Sequence, residues 1–177
     1  MISSWVARFA AGLPAGPVLD VACGSGRHLR HFRALGHPVV GVDRDLGRVA
    51  DLQGADGVEL LQADLEDGAP WPLGDRRFAG VVVTNYLWRP LFPALVASVG
   101  PGGWLLYQTF AQGQEQLGRP RNPDHLLAPG ELLGAVQDHL TVVAYEHGRL
   151  ETPAPAVIQR IAAVRESAPN TPVMFVL

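Results

Sequence analysis

Pro17-Val18-Leu19-Asp20-Val21-Ala22-Cys23-Gly24-Ser25-Gly26-Arg27-His28 reads as an apolar strand that carries an aspartate near its end and then breaks into a loop of small residues. Gly24 and Gly26 let the backbone take positive φ and let a ligand approach closely, and a helix opening near Gly26 turns its free N–H groups toward the same space. That loop is the place for a nucleotide-like ligand. A lone glycine loop is a weak signal, and its strength in this chain comes from two further strand ends at one-unit spacing. Val39-Val40-Gly41-Val42-Asp43 ends a second strand in an acid, and Leu60-Leu61-Gln62-Ala63-Asp64-Leu65 ends a third in another. Three successive strands ending in a carboxylate describe a βαβαβ half-sheet whose carboxyl edge carries negative charge at fixed positions.

On these residues the chain resembles the class I S-adenosylmethionine-dependent methyltransferases, from about Val18 to a C-terminal hairpin. Within them it is similar to the small stand-alone bacterial enzymes grouped with tellurite-resistance and thiopurine methyltransferases. The resemblance implies an α/β fold, a Rossmann-like three-layer sandwich with a mostly parallel seven-stranded sheet and an antiparallel C-terminal strand. It also implies S-adenosylmethionine as cofactor and S-adenosylhomocysteine as product. The chain departs from the family pattern at Ala22, which stands where the first glycine usually falls and narrows the turn.

The nearest competitor is an NAD(P)-dependent oxidoreductase, and charge separates the two. A dinucleotide places its pyrophosphate over the glycine turn, where Asp20 would repel it. S-adenosylmethionine has no phosphate; its sulfonium and ammonium are stabilised by the same carboxylate. The dinucleotide fingerprint also wants a small residue three positions after its second glycine, where this chain has Leu29. Asp43 does not discriminate, because both cofactors offer ribose hydroxyls to an acid there.

Composition narrows the field further. At 177 residues and 47% hydrophobic, the chain is expected to form one methyltransferase domain over 1–177, with an N-terminal helix within 1–15 and a lid loop over 111–128. The net charge of −3 gives no broad basic field of the kind duplex-binding proteins use, so nucleic acid is not an expected partner. One cysteine cannot form an intramolecular disulfide, the N-terminus lacks the parts of a signal peptide, and no apolar run approaches membrane-spanning length. A cytoplasmic monomer or homodimer with no membrane association is the expectation. Every one of the 14 basic residues counted as lysine or arginine is arginine, which excludes a P-loop nucleotide hydrolase and any lysine Schiff-base mechanism.

Along the chain, Ser3 or Ser4 caps a short helix in which Trp5, Val6, Phe9 and Ala10 share a face. The helix after the glycine loop is expected to bury Leu29, Phe32 and Leu35 and to leave Arg27, Arg30 and Arg33 on a solvated side. A helix of about two turns covers residues 45–52. Residues 66–75 are too rich in proline and glycine for a full crossover helix. A fourth strand spans Gly80 to Thr84 and a fifth Trp104 to Thr109, with a helix near Phe92 to Val99 and Pro101-Gly102-Gly103 as the turn. After the long 111–128 connection a helix begins at Pro129 and runs through Leu132, Leu133 and Val136. Strands at 140–145 and 157–164, flanking a turn at His147-Gly148, form an antiparallel pair at the sheet edge.

Methyl transfer is an in-line displacement at an activated methyl group, so the protein must align donor and acceptor and exclude water; a base is needed only if the acceptor must be deprotonated. Cofactor residues are therefore more legible than acceptor residues. Asp20 is a candidate for the methionine ammonium, and Ala22, Cys23, Gly24 and Gly26 shape the wall. Asp43, with Arg44 beside it, is placed for the ribose hydroxyls, the alternative being a helix-start carboxylate. Asp64 is placed to accept from the adenine amino group and the Leu65 N–H to donate to a ring nitrogen, the alternative being an ordinary turn aspartate. Cys23 reads as a small spacer rather than a nucleophile. His28 either approaches the cofactor or caps local carbonyls.

On the acceptor side, Asn85 and Tyr86 leave the fourth strand where the family's acceptor side begins, with Asn85 also counted among the cofactor residues. The alternative for Asn85 is satisfaction of backbone groups at the strand end. The prolines that follow this position in amino-directed DNA methyltransferases are absent. Arg89 reads as structural, bonding carbonyls of a neighbouring loop. His125, the imidazole of the long loop, is a third acceptor-side candidate, with Arg119, Arg121 and Asn122 near it. No catalytic residue and no metal site is assigned. The expected reaction is methyl transfer to a small molecule such as a thiol or chalcogen; the alternatives are a non-catalytic S-adenosylmethionine-binding or partner-binding module and the oxidoreductase above.

Overall fold

The computed structural model describes residues 1–167, so residues 168–177 of the domain expected over 1–177 lie outside the described residues. Trp5, Val6, Phe9 and Ala10 are the buried face of α1 (Ser4–Ala10). The elements after it are β1 (Val18–Val21), α2 (Arg27–Ala34), β2 (Val39–Asp43), β3 (Val58–Gln62), β4 (Phe78–Thr84), α3 (Phe92–Ala97), β5 (Val99–Phe110), α4 (Glu131–Val136), β6 (Thr141–Leu150) and β7 (Ala156–Val164). No helix among the described residues is long and apolar enough to cross a membrane.

The strands make one seven-stranded sheet in the order β3-β2-β1-β4-β5-β7-β6. The first five are mutually parallel where they pair, and β7 runs antiparallel between β5 and β6. Because β1 and β4 are near-continuous apolar runs, both faces of the sheet centre are buried. One face carries Leu19, Val21, Val81 and Val83 against α3 and α4, and the other carries Val18, Val82 and Leu106 against α1 and α2. The chain leaves β1 toward β2 and later returns to β4 on the other side, so the crevice at the carboxyl ends of β1 and β4 is a topological switch point, where open α/β sheets place ligands.

Several expectations need correction. Leu35 is 53% exposed, because it stands at the helix C-cap with φ −82° and ψ 0° and the three-residue stripe runs out with the helix. The helix expected at 45–52 is a pair of 3₁₀ turns over Gly47–Leu52, broken at Val49. Pro101-Gly102-Gly103 is not a turn but an irregularity inside β5, where pairing steps from Phe78↔Val99 to Gly80↔Trp104. A Cβ on Gly103 would come within 2.6 Å of the Phe78 carbonyl oxygen, so only glycine fits this crossing. His147-Gly148 is likewise mid-strand: β6 continues to Leu150, paired with Ala156 of β7, and the reversal falls at residues 151–155. As expected, no helix joins β3 to β4.

Candidate active site

The glycine turn is built from three left-handed residues, Ala22 at φ 53°, Gly24 at φ 53° and Gly26 at φ 68°. Left-handed backbone costs an alanine about 1 kcal/mol, and such outliers gather at ligand sites. Asn85, at the end of the adjacent β4, is the other non-glycine residue at positive φ among the described residues, 56°. The two conformational outliers thus flank the switch-point crevice. A Cβ at Gly24 would meet nothing within 4 Å, so the turn faces open space. At Gly26 it would meet Val49 Cγ1 at 2.6 Å, so this glycine serves packing as well as φ.

Asp43 braces the turn from the end of β2. Its Oδ2 accepts from the Gly24 N–H at 2.8 Å and its Oδ1 from the Asp45 N–H at 3.0 Å. A carboxylate has about four acceptor sites, so two remain for a ligand. Asp64 Oδ1 accepts from the Glu66 N–H at 2.9 Å, the turn-aspartate geometry. Asp43 and Asp64 line one cavity of about 400 Å³ together with Ala22, Arg44, Ala63, Leu65, Glu66, Tyr86 and His125. The structure brings seven of the expected site residues into this cavity: Ala22, Asp43, Arg44, Asp64, Leu65, Tyr86 and His125. Asp20, Cys23, Gly24, Gly26 and Asn85 are not among its lining.

Asp20 is 2% exposed, and its Oδ2 is buried without a hydrogen-bond partner. Its Oδ1 stands 3.7 Å from His28 Nδ1, beyond hydrogen-bond distance. Burial raises the carboxyl pKa above the ordinary 3.8, against the opposing pull of His28 and Arg27. Cys23 turns its side chain into the core beside Gly41, with its thiol pushed up to about 12 by burial and by Asp20 and Asp43. It is therefore a thiol at neutral pH, not a nucleophile.

On the β4 side, the Asn85 N–H donates to the Gln108 carbonyl at 2.9 Å, while its exposed side chain makes no hydrogen bond. Burial first, then the carboxylates of Glu66, Asp64 and Asp43, raise the Tyr86 phenol far above its usual range, so it stays protonated at neutral pH. Tyr107 donates its hydroxyl to the Tyr86 carbonyl at 2.9 Å.

The 111–128 connection is more tightly built than its sequence suggests. It contains 3₁₀ turns at Gln114–Gln116 and Pro123–His125, and Ala111, Leu126 and Leu127 are buried. Buried Gln114 joins the Arg119 carbonyl to the Val157 N–H. Arg89 donates to the Asp124 and Leu126 carbonyls at 2.8 Å each and pairs with Glu131, which brings His125 over the cavity. Arg119 and Arg121 are exposed and stand outside the cavity lining.

On the expected solvated face of α2, Arg30 and Arg33 are exposed and Arg27 is half-buried. Arg27 donates to Thr84 Oγ1 at 3.1 Å, Arg30 pairs with both oxygens of Asp51, and Arg33 donates to the Asp56 carbonyl. These side chains fold back over neighbouring strand ends and turns. Sequence reading misses Glu66 and Ser3. Glu66 is signalled by its place two residues after Asp64. Ser3 carries no signal, since its partners Gln108 and His28 lie 105 and 25 residues away.

Residues 18–103 match the family model described as a methyltransferase domain. No curated protein matches the chain by sequence. Among solved structures, TehB from Haemophilus influenzae is 17% identical, with 93% of this chain and 63% of that one covered and a TM-score of 0.73. The glycopeptide N-methyltransferase MtfA complexed with S-adenosylmethionine is 21% identical over 92% of this chain and 86% of that one, with a TM-score of 0.63. A protein solved in work on conversion of a disulfide bond into a thioacetal group during echinomycin biosynthesis is 20% identical over 95% and 83%, with a TM-score of 0.66. Residues 18–103 thus carry a methyltransferase domain, and the sheet order closing on the reversed β7 is the fold shared with S-adenosylmethionine-dependent methyltransferases.

Proposed function

We propose that the chain methylates a soft small-molecule acceptor, a thiol or a chalcogen centre, whose reactive anion forms near neutral pH with little help from a protein base. The site residues suit the donor: Asp20 offers a buried carboxylate oxygen with no partner, and the face of Gly24 is open. In this reading Asp20 faces the methionine ammonium, Asp43 takes the ribose hydroxyls on its two remaining acceptor sites, and Asp64 with the Leu65 N–H takes the adenine edge. Tyr86 and His125 close the cavity from β4 and the 111–128 loop, and Asn85 stands at the mouth toward the acceptor. When bound, S-adenosylmethionine supplies a methyl group already activated on a sulfonium. The residues around it have only to align the acceptor and exclude water.

The observation that carries the acceptor class is the state of Tyr86. The Tyr86 phenol, which lines the same cavity as His125, is held protonated by burial and three carboxylates, so it cannot take a proton from an acceptor near neutral pH. Asn85 does not titrate, and His125 lines the donor cavity. A soft acceptor needs no such help, which agrees with the resemblance to the tellurite-resistance group and with the sulfur chemistry named for one structural neighbour. The test is S-adenosylhomocysteine production against a panel of thiols, chalcogen compounds, amines and phenols. Turnover confined to thiols and chalcogens is expected; turnover confined to amines or phenols overturns the acceptor class.

A further inference from the structure

His28 is a buried titratable side chain that the donor-binding residues leave without a role. It is 1% exposed on the second residue of α2. The Ser3 N–H donates to its Nε2 at 3.4 Å, and its Nδ1 stands 3.7 Å from Asp20 Oδ1. A ring nitrogen that accepts a hydrogen bond carries no proton, so the neutral ring is the Nδ1–H tautomer and its N–H is aimed at the carboxylate. Ser3 itself sits at the N-cap of α1, where a serine normally turns its oxygen to the amides of the first turn. It makes no such bond. Instead Ser3 Oγ donates to Gln108 Oε1 at 3.1 Å, near the carboxyl end of β5. On the adjacent β4, Thr84 Oγ1 receives Arg27. Ser3, just before α1, is thus tied to the end of β5, and Arg27 of α2 to the end of β4.

We propose that His28 is a positioning residue that couples Asp20 to Ser3 in the segment preceding α1, so that Ser3 forms part of the wall of the acceptor mouth beside Gln108. The inference rests on Asp20 facing the donor's ammonium. A cation at the free Oδ2 favours the charged carboxylate, which draws the Nδ1–H toward Oδ1. That contact holds the ring with Nε2 bare and the Ser3 amide bonded. Without the cation, the 3.7 Å separation leaves the ring held on one side only.

The experiment measures exchange of the Ser3 amide by NMR with and without saturating S-adenosylhomocysteine, whose affinity is measured by calorimetry. In the wild-type chain, the ligand is expected to slow Ser3 exchange about tenfold or more. Two conservative variants separate the two ring nitrogens. His28→Gln places an acceptor near the Nε2 position without the Nδ1 donor, so Ser3 stays protected equally with and without ligand. His28→Asn keeps a donor near the Nδ1 position without the acceptor, so Ser3 exchanges fast in both states. Ligand binding with unchanged wild-type Ser3 exchange overturns the coupling alone, and this arm needs no variant. A ligand response retained in His28→Asn overturns it as well. No binding of the ligand to the wild-type chain overturns the donor reading and the coupling with it.

Discussion

Along the carboxyl edge of the sheet, the β1–β2–β3 half is braced by carboxylates close in sequence to what they hold, whereas the β4–β5 half is assembled from distant partners. Asp43 and Asp64 each bind an amide two residues on, and Asp43 reaches Gly24 across 19 residues. Arg89 meets Glu131 across 42 residues, Gln159 meets Ala128 across 31, and Ser3 meets Gln108 across 105. The first half is a prefabricated ligand edge whose chemistry is written into strand ends. The second is a surface shaped by tertiary contacts, free to differ between enzymes that share a donor.

If the halves are separable in this way, Asp43→Ala should have the largest effect. It removes the two acceptor sites proposed for the ribose hydroxyls and the brace of the glycine turn, so the Kd for S-adenosylhomocysteine should rise roughly 30- to 1000-fold, about 2–4 kcal/mol, by calorimetry. The melting temperature should fall with it, because the Gly24 N–H loses its acceptor. An unchanged Kd would reduce Asp43 to a turn brace.

Asp20→Asn tests the same half through pH. The folded-state pKa of Asp20 lies above its ordinary 3.8, so the protonated carboxyl favours the ligand-free fold at low pH and that contribution is lost as pH rises through the raised value. The neutral amide has no such loss. Ligand-free Asp20→Asn should therefore gain stability relative to wild type as pH rises above the ordinary carboxylate value, measured in denaturant titrations. Its affinity for S-adenosylhomocysteine should drop by about 1.5–3 kcal/mol, as expected for a lost charged hydrogen bond. A stability difference that does not vary with pH would mean that Asp20 is charged throughout.

The legible part of the molecule follows the same division. Strand ends, glycine turn and donor-side acids can be read because apolar runs, positive φ and strand-end charge are local consequences of residue type. Even Ala22, which breaks the glycine pattern, adopts the φ that the pattern requires. Arg27 escapes such a reading because helix periodicity gives a direction but not the reach of a long side chain, and Thr84 stands 57 residues away. The 111–128 loop reads as unanchored because its anchors, Arg89 and Gln159, lie outside it. Gly148 and Pro101-Gly102-Gly103 read as turns because glycine marks irregular backbone as well as reversals, and only pairing tells which.

Arg89→Ala probes the distant-partner half. Its side chain is 40% exposed, so the loss should be modest, about 1–2 kcal/mol of stability. Amides of residues 122–128 should exchange faster while S-adenosylhomocysteine affinity changes far less than in Asp43→Ala. A loss of affinity as large as that of Asp43→Ala would show that the halves are not separable. The smallest effect is expected from Ala22→Gly, which relieves left-handed strain and should stabilise the chain by about 0.5–1 kcal/mol by denaturant titration.

The place of β7 has a consequence for synthesis. Among the described residues it is the last strand to be made, yet it sits between β5 and β6, which precede it. While residues 156–164 are still in the ribosome, Trp104 to Phe110 has no strand on its outer side, and β6 has no partner at all. A growing chain therefore carries an open, apolar strand edge of the kind that recruits other chains. Ribosome-stalled fragments ending near residue 150 should bind holdase chaperones, and release from them should coincide with emergence of Ala156 to Val164. The donor half, whose β1–β2–β3 pairing is complete by Gln62, has no such wait.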